Sequence, residues 1–182
     1  MNIANKLTLL RIALIPVFIA FFYIGDGWWH YYAAALVFVL AALTDLFDGA
    51  LARRRGIITN FGKLMDPIAD KLLVSSALVL LGSIGRIHPV FVIVLIGREF
   101  IISGFRALAA AEGKVLAASG LGKSKTVVQI VAVVVLMLYG GVFGEWLETA
   151  GFILVLAAVA LSLVSCADYL LKNKGIVRDM FK

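Results

Sequence analysis

Charged side chains are scarce in this chain. Only 15% of its 182 residues are Asp, Glu, Lys or Arg, whereas 63% are hydrophobic. About a quarter of the residues in a soluble domain are charged, so this composition could not cover a water-exposed surface. The mean hydropathy of +1.04 indicates a chain whose main solvent is lipid.

Cysteine and histidine are nearly absent as well. The single cysteine, Cys166, lies in an apolar run and excludes an internal disulfide. No pair of nucleophile and histidine is visible, so chemistry through a covalent enzyme intermediate is not expected, and we expect His30 and His88 to be solvated loop residues. No internal repeat, low-complexity stretch or cleavable signal peptide is apparent. The sequence therefore predicts one domain over residues 1–182.

Long apolar segments dominate what is present. A helix needs about 20 apolar residues to cross a bilayer. Six segments approach that length: Leu7–Ile24, Tyr31–Leu51, Pro67–Ile84, Pro89–Ala111, Lys125–Val142 and Trp146–Leu171. We therefore predict an all-α membrane protein, a bundle of six transmembrane helices.

Basic residues are concentrated in alternate connections between these segments. Lys6, the run Arg53–Arg55, the 114–125 connection and the tail after Lys172 fall on one side, whereas the opposite loops contain a single basic residue, Arg86. Lys and Arg favour the cytoplasmic side of a membrane, so both termini are predicted to be cytoplasmic. This asymmetry explains the net charge of +6, and no nucleic-acid partner is expected.

Four aspartates lie near the basic side of the second and third segments. Asp45 and Asp48 are three residues apart and share a helix face, and Asp66 and Asp70 are four apart at the start of the third segment. A charge at this depth costs at least about 2.5 kcal/mol unless it is paired or hydrated. A divalent cation would compensate for this cost and for the repulsion between carboxylates, and oxygen ligands suit Mg²⁺ or Mn²⁺.

These acids also have simpler interpretations. Asp66 is a suitable N-cap before Pro67, and Asp70 is within reach of Lys63 or Lys71 for a surface ion pair. A divalent-cation transporter would also have acids inside the membrane. The outer halves of both segments are almost wholly apolar, however, which favours a site open to one face only.

A second group of charges lies in the fourth and fifth segments. Arg98 and Arg106 are eight residues apart, on nearly one helix face, and Arg98 lies inside the apolar stretch, where it needs a partner. Glu99 is one candidate for that partner, although adjacent helix positions do not face each other. A guanidinium suits a phosphate, so we predict a phosphate site formed by Arg98, Arg106, Lys123, Lys125 and Thr126. Alternatively, the two lysines are only positive residues of a cytoplasmic loop.

The aspartates belong to a longer pattern. Asp45-x-x-Asp48-Gly49-x-x-Ala52-Arg53 is followed by Gly62, Asp66 and Asp70, with eight, three and three residues in between. These eight fixed positions match the signature of the CDP-alcohol phosphotransferase family, which the six predicted spans also resemble. Residues 5–11, 97–106 and 122–126 most resemble the branch of this family that uses sn-glycerol 3-phosphate as acceptor, although Ala4 replaces the usual Pro before Asn5.

The resemblance implies a metal-dependent transfer of the phosphatidyl group of CDP-diacylglycerol to glycerol 3-phosphate, giving phosphatidylglycerophosphate and CMP. Asp45, Asp48, Asp66 and Asp70 would hold two Mg²⁺ or Mn²⁺ ions, and Asp70 would be the catalytic base. The residues implied for the CDP-lipid are Asn5, Thr8, Gly49, Ala52, Arg53 and Gly62. Arg11 either joins them or extends to the membrane interface. Serine or inositol phosphate is the alternative acceptor. The implied location is a bacterial cytoplasmic membrane with the active site facing the cytoplasm, and a homodimer is compatible with the family.

Overall fold

The computed structural model describes residues 3–55, 60–111, 113, 120–139 and 143–174, and excludes the side chains of residues 3–4, 45–55 and 60–64. It contains six helices: α1 (Ile3–Tyr23), α2 (Trp29–Arg55), α3 (Asn60–Ser83), α4 (Pro89–Ala111), α5 (Gly120–Leu138) and α6 (Trp146–Lys172). The described part of the chain has no strand, so the predicted all-α class is confirmed.

The helix bounds differ from the predicted apolar segments most at the start of α3, close to the aspartates. α2 continues to Arg55 and α3 begins at Asn60, so only residues 56–59 separate them. A helix does not stop where its sequence becomes polar, because Ala, Leu, Arg and Lys all favour helix and the emerging turns are solvated. Asp66 and Pro67 consequently lie inside α3, and the interpretation of Asp66 as an N-cap is wrong.

Three of the described helices are long and apolar enough to cross a membrane. They are Asn5–Tyr23, Gly120–Leu138 and Trp146–Lys172, with mean hydropathies of 1.8, 1.8 and 2.5. Their outward-facing side chains include large apolar residues such as Val127, Ile153 and Leu171, all exposed. Such surfaces are stable in lipid and not in water, which supports a membrane protein.

The interior is built from two packed groups of helices. α1 packs against α2 and α3, with Phe18 in contact with Phe22 and Phe38 at ring-centre distances of 6.2 and 5.8 Å. α5 packs closely against α6, where a methyl group added at Gly151 would overlap Leu136. The small residue allows the two helix backbones to approach.

The bundle has two chemically different ends. Thr8, Asp66 and Asp70 define the end that we term the acidic end, where α1 and α3 begin. Trp28, Tyr31, Arg86 and Tyr139 define the opposite, aromatic end, where α1, α3 and α5 finish and Arg86 contacts the last turn of α5.

Candidate active site

Asp66 is held by a hydroxyl from another helix. Its carboxylate is partly buried in α3 and accepts a hydrogen bond from Thr8 Oγ1 of α1. Thr8 is fully buried, and a buried hydroxyl requires such a partner. Thr8 was predicted to contact the CDP-lipid. In the structure its hydroxyl instead contacts Asp66, which was predicted to bind metal.

Asp70 lies one turn further along α3 and is also partly buried. It is near enough to Lys125 of α5 for an electrostatic interaction. The adjacent Lys71 donates a hydrogen bond to Ser103 Oγ of α4. Asp70 therefore lies where the predicted acidic and phosphate-binding groups meet.

The structure describes half of the predicted metal ligands. Among the described side chains, no three His, Cys, Asp or Glu residues are grouped so that they could hold a metal ion. The predicted site residues whose side chains lie outside this description are Asp45, Asp48, Gly49, Ala52, Arg53 and Gly62. Asp66 and Asp70 offer carboxylate oxygens one helical turn apart, and α2 packs against α3. These donors fit Mg²⁺ or Mn²⁺, and the four-aspartate site stays a prediction.

Glu99 connects two cations that were predicted to bind phosphate. Lys125 is only 1% exposed and pairs with Glu99 Oε1. Arg98 Nη1 donates to the same oxygen at 3.0 Å. Glu99 is thus a partner of Arg98, because the long arginine side chain reaches around the helix although the two Cα–Cβ bonds diverge. We term Arg98, Glu99 and Lys125 the basic cluster.

Both arginines of α4 also contact α6. Arg98 Nη2 donates to Ser165 Oγ at 2.8 Å, and Arg98 Nε is buried without a hydrogen-bond partner in the described part of the chain. Arg106 Nε donates to Tyr169 Oη at 3.3 Å, and its guanidinium carbon lies 5.3 Å from the ring centre. Both arginines thus project toward α6, as their spacing predicted.

The two lysines at the start of α5 have different environments. Lys125 is buried and paired, so its interpretation as a loop residue that only sets topology is wrong. Lys123 is exposed, and Thr126 Oγ1 donates to the Gly122 carbonyl of its own helix at 3.2 Å. Within the described residues, neither Lys123 nor Thr126 forms a hydrogen bond or ion pair with the basic cluster.

The start of α1 contributes further polar groups. Asn5 is partly buried, and Arg11 is 1% exposed. The interpretation of Arg11 as a residue that extends to the membrane interface is therefore wrong. Sequence reasoning considered Glu99 only as a partner of Arg98 and missed the contacts of Ser165 and Tyr169, although polar groups inside apolar segments are a signal that could have identified these residues.

Comparison with known proteins identifies the family. A family model described as CDP-alcohol phosphatidyltransferase matches residues 1–164. The chain belongs to this family. It is 40% identical to a CDP-diacylglycerol–glycerol-3-phosphate 3-phosphatidyltransferase of Bacillus subtilis (strain 168), over 94% of this chain and 95% of the relative. Proteins of the same description from Escherichia coli (strain K12) and Rickettsia bellii (strain RML369-C) are 43% and 38% identical, over 98% and 92% of this chain and 98% and 93% of the relatives.

Family membership confirms the resemblance inferred from the aspartate pattern. The chain is an enzyme of this transferase family, which removes the support for a cation transporter. The aspartate pattern was sufficient to identify the family because it specifies the residue type at eight positions and the spacing between them.

Proposed function

We propose that this enzyme transfers the phosphatidyl group of CDP-diacylglycerol to sn-glycerol 3-phosphate, with release of CMP. The observation that supports this most is the buried Lys125, which pairs with Glu99 and interacts with the charge of Asp70. It brings cations suited to a phosphate next to a carboxylate suited to accept a proton. The names of the three relatives agree with this assignment.

The charge of the basic cluster favours a phosphorylated acceptor. Arg98 and Lys125 contribute two positive charges and Glu99 one negative charge, so the cluster retains one net positive charge at a largely buried position. A phosphate group would compensate that charge and would accept a hydrogen bond from Arg98 Nε, which has no partner in the described residues. Serine is a zwitterion without net charge and would leave the net positive charge of the cluster uncompensated.

The residues of α3 would perform the proton transfer. Asp70 accepts the proton of the acceptor hydroxyl while the hydroxyl oxygen forms a bond to the phosphorus that carries the diacylglycerol. The bond between that phosphorus and the CMP oxygen breaks, and CMP leaves with the electron pair. Divalent cations held by Asp45, Asp48, Asp66 and Asp70 would neutralise the diphosphate charge. Thr8 would keep the Asp66 carboxylate oriented toward its ligand.

The membrane topology is part of the same proposal. Six spans with both termini in the cytoplasm would place the acidic end and the basic cluster on the cytoplasmic side of a bacterial membrane. The concentration of Lys and Arg in the connections at the acidic end supports this orientation. Glycerol 3-phosphate is a charged cytoplasmic metabolite and would reach the site without crossing lipid.

An acceptor panel tests the proposal. Purified enzyme would be supplied with CDP-diacylglycerol and Mg²⁺, and CMP release would be measured with glycerol 3-phosphate, serine or inositol phosphate. We expect release with glycerol 3-phosphate only, and equal release with either of the others would refute the acceptor assignment. Lys125→Met should raise KM for glycerol 3-phosphate at least about tenfold, as expected for loss of a charge-assisted hydrogen bond. Lys172→Met, which removes an exposed lysine of α6, is the matched control and should leave KM unchanged.

A further inference from the structure

The aromatic end contains a cavity that the proposed reaction does not use. Its volume is about 700 Å³, and residues from three connections contribute to its wall. The polar residues that line it are Asp26, His30, Tyr31, Arg86, Tyr139 and Glu148. Because it lies at the opposite end of the bundle from Asp66 and Asp70, it does not belong to the candidate active site.

Arg86 provides this cavity with a positive charge that is partly withdrawn from water. Its guanidinium carbon lies 4.4 Å from the ring centre of Tyr31 and 5.1 Å from that of Tyr139. Its Nη1 donates to the Leu136 carbonyl at 2.6 Å. Burial lowers the pKa of Arg86, and none of the ion pairs in the described residues includes it. Carbonyls and aromatic faces stabilise the cation but leave its charge uncompensated, so an anionic group would bind favourably here.

The same wall carries two carboxylates. Asp26 and Glu148 are exposed at the cavity and form no ion pair within the described residues. Interaction with the Glu148 carboxylate raises the pKa of Tyr139. The cavity therefore offers one site for an anion and two groups for a cation.

His30 gives an independent indication of a polar ligand. The expectation that His30 is solvated is wrong, because α2 begins at Trp29 and His30 is only 6% exposed. His88, by contrast, is exposed as expected. The Nδ1 atom of His30 is buried without a hydrogen-bond partner in the described structure. An unpaired buried polar atom in the wall of a cavity requires an explanation, and a polar occupant provides one.

The surroundings of the cavity indicate where the occupant comes from. Tyr23, Ile24, Trp28, Trp29 and Trp146 are all exposed around the aromatic end. Exposed Trp and Tyr residues occur in membrane proteins at the depth of the lipid headgroups. The occupant is thus expected to be a headgroup of the surrounding lipid.

We infer that this cavity binds the headgroup of a zwitterionic phospholipid that has a primary ammonium group, with its phosphate at Arg86 and its ammonium between Asp26 and Glu148. The guanidinium of Arg86 already occupies the aromatic faces, so the ligand's cation must be held by hydrogen bonds to carboxylates. A primary ammonium donates such bonds and a quaternary ammonium does not. An anionic headgroup without an ammonium would be repelled by the two carboxylates.

Lipid binding to the delipidated protein tests this inference. Native mass spectrometry would measure the binding of phosphatidylethanolamine, phosphatidylcholine and phosphatidylglycerol with identical acyl chains. We expect phosphatidylethanolamine to bind about tenfold more tightly than the other two, a difference typical of one or two additional charge-assisted hydrogen bonds. Equal affinities for the three lipids would overturn the inference.

Substitutions of the lining residues test whether the cavity causes the preference for phosphatidylethanolamine. Asp26→Asn combined with Glu148→Gln should reduce the preference for phosphatidylethanolamine to no more than about twofold, because the hydrogen bonds to its ammonium lose their charge. Glu145→Gln, at an exposed acid of the same end that does not line the cavity, is the matched control and should retain the preference. An undiminished preference in the double variant would contradict the assignment.

Two further experiments test the contact between Arg86 and the lipid phosphate, and whether the ligand is a lipid or a soluble molecule. Arg86→Gln should weaken the binding of phosphatidylethanolamine at least about tenfold, and unchanged binding in a folded Arg86→Gln protein would contradict the phosphate contact. If that variant does not fold, the acidic double variant still tests whether the cavity causes the lipid preference. Free phosphoethanolamine should not displace the lipid at equal concentration, and displacement would show that the ligand is a soluble amine.

Discussion

Replacing Glu99 by Gln should destabilise the protein far more than a single surface charge would suggest. Glu99 forms ion pairs with both Arg98 and Lys125, whose side chains are only 10% and 2% exposed. Gln keeps the shape of the side chain but removes its charge. Two largely buried cations would then remain close together without the carboxylate that joins them.

The expected size of the effect follows from the burial of these groups. Breaking a buried ion pair by removing one partner costs roughly 3–5 kcal/mol. Glu99 itself is 23% exposed, so the lower end of this range, about 3 kcal/mol, is appropriate. For a chain of this length, that loss corresponds to a fall in Tm of roughly 6–12 °C.

Thermal unfolding in detergent, followed by tryptophan fluorescence, measures this change. The matched control is Lys172→Gln, which breaks the exposed pair between Lys172 and Asp168 and should cost less than about 1 kcal/mol. Glycerol 3-phosphate should raise the Tm of Glu99→Gln more than that of the wild type, because its phosphate replaces the lost negative charge. Equal Tm values for the Glu99 and Lys172 variants would refute the reasoning.

Three other substitutions test the candidate active site. Thr8→Val should weaken Mg²⁺ binding, measured by calorimetry, about 10–100-fold because it removes the hydroxyl that orients Asp66. Thr8→Ser keeps a hydroxyl and should bind Mg²⁺ normally. Equal affinity in both variants would show that Thr8 does not orient Asp66. Asp70→Asn should lower kcat at least about 10²-fold while CDP-diacylglycerol still raises the Tm, and a normal kcat would exclude Asp70 as the base. Arg106→Ala should raise KM for glycerol 3-phosphate by less than about tenfold without changing kcat. The reason is that this side chain is exposed, so water screens the attraction between its charge and the acceptor's phosphate. A decrease in kcat with an unchanged KM would contradict this prediction.

The sequence predicts the helical architecture well because hydropathy directly reflects burial in lipid. The α4 bounds agree with prediction, α2 and α6 extend their predicted segments, and α1, α3 and α5 each begin and end before theirs. The largest differences occur at the starts of α3 and α5. Hydropathy locates the apolar part of a helix, and it does not report the solvated turns beyond it.

The candidate site was predictable as a set of residue types and not as a set of contacts. Spacing along one helix places Asp66 beside Asp70 and Arg98 on the face of Arg106. The contacts of Thr8 with Asp66, and of Glu99 with Lys125, join residues 58 and 26 positions apart. Helix packing decides such pairs, and one sequence contains no signal for them.

The division of charges along the chain has an evolutionary consequence. The acids lie on α2 and α3, in the first half of the sequence, whereas the basic cluster lies on α4 and α5 and is supported by α6. With the proposed roles, recognition of the activated lipid and selection of the alcohol would be encoded in separate stretches of the gene. Recombination within the connection after α3 should exchange acceptor preference between relatives while the chemistry of phosphatidyl transfer is inherited intact.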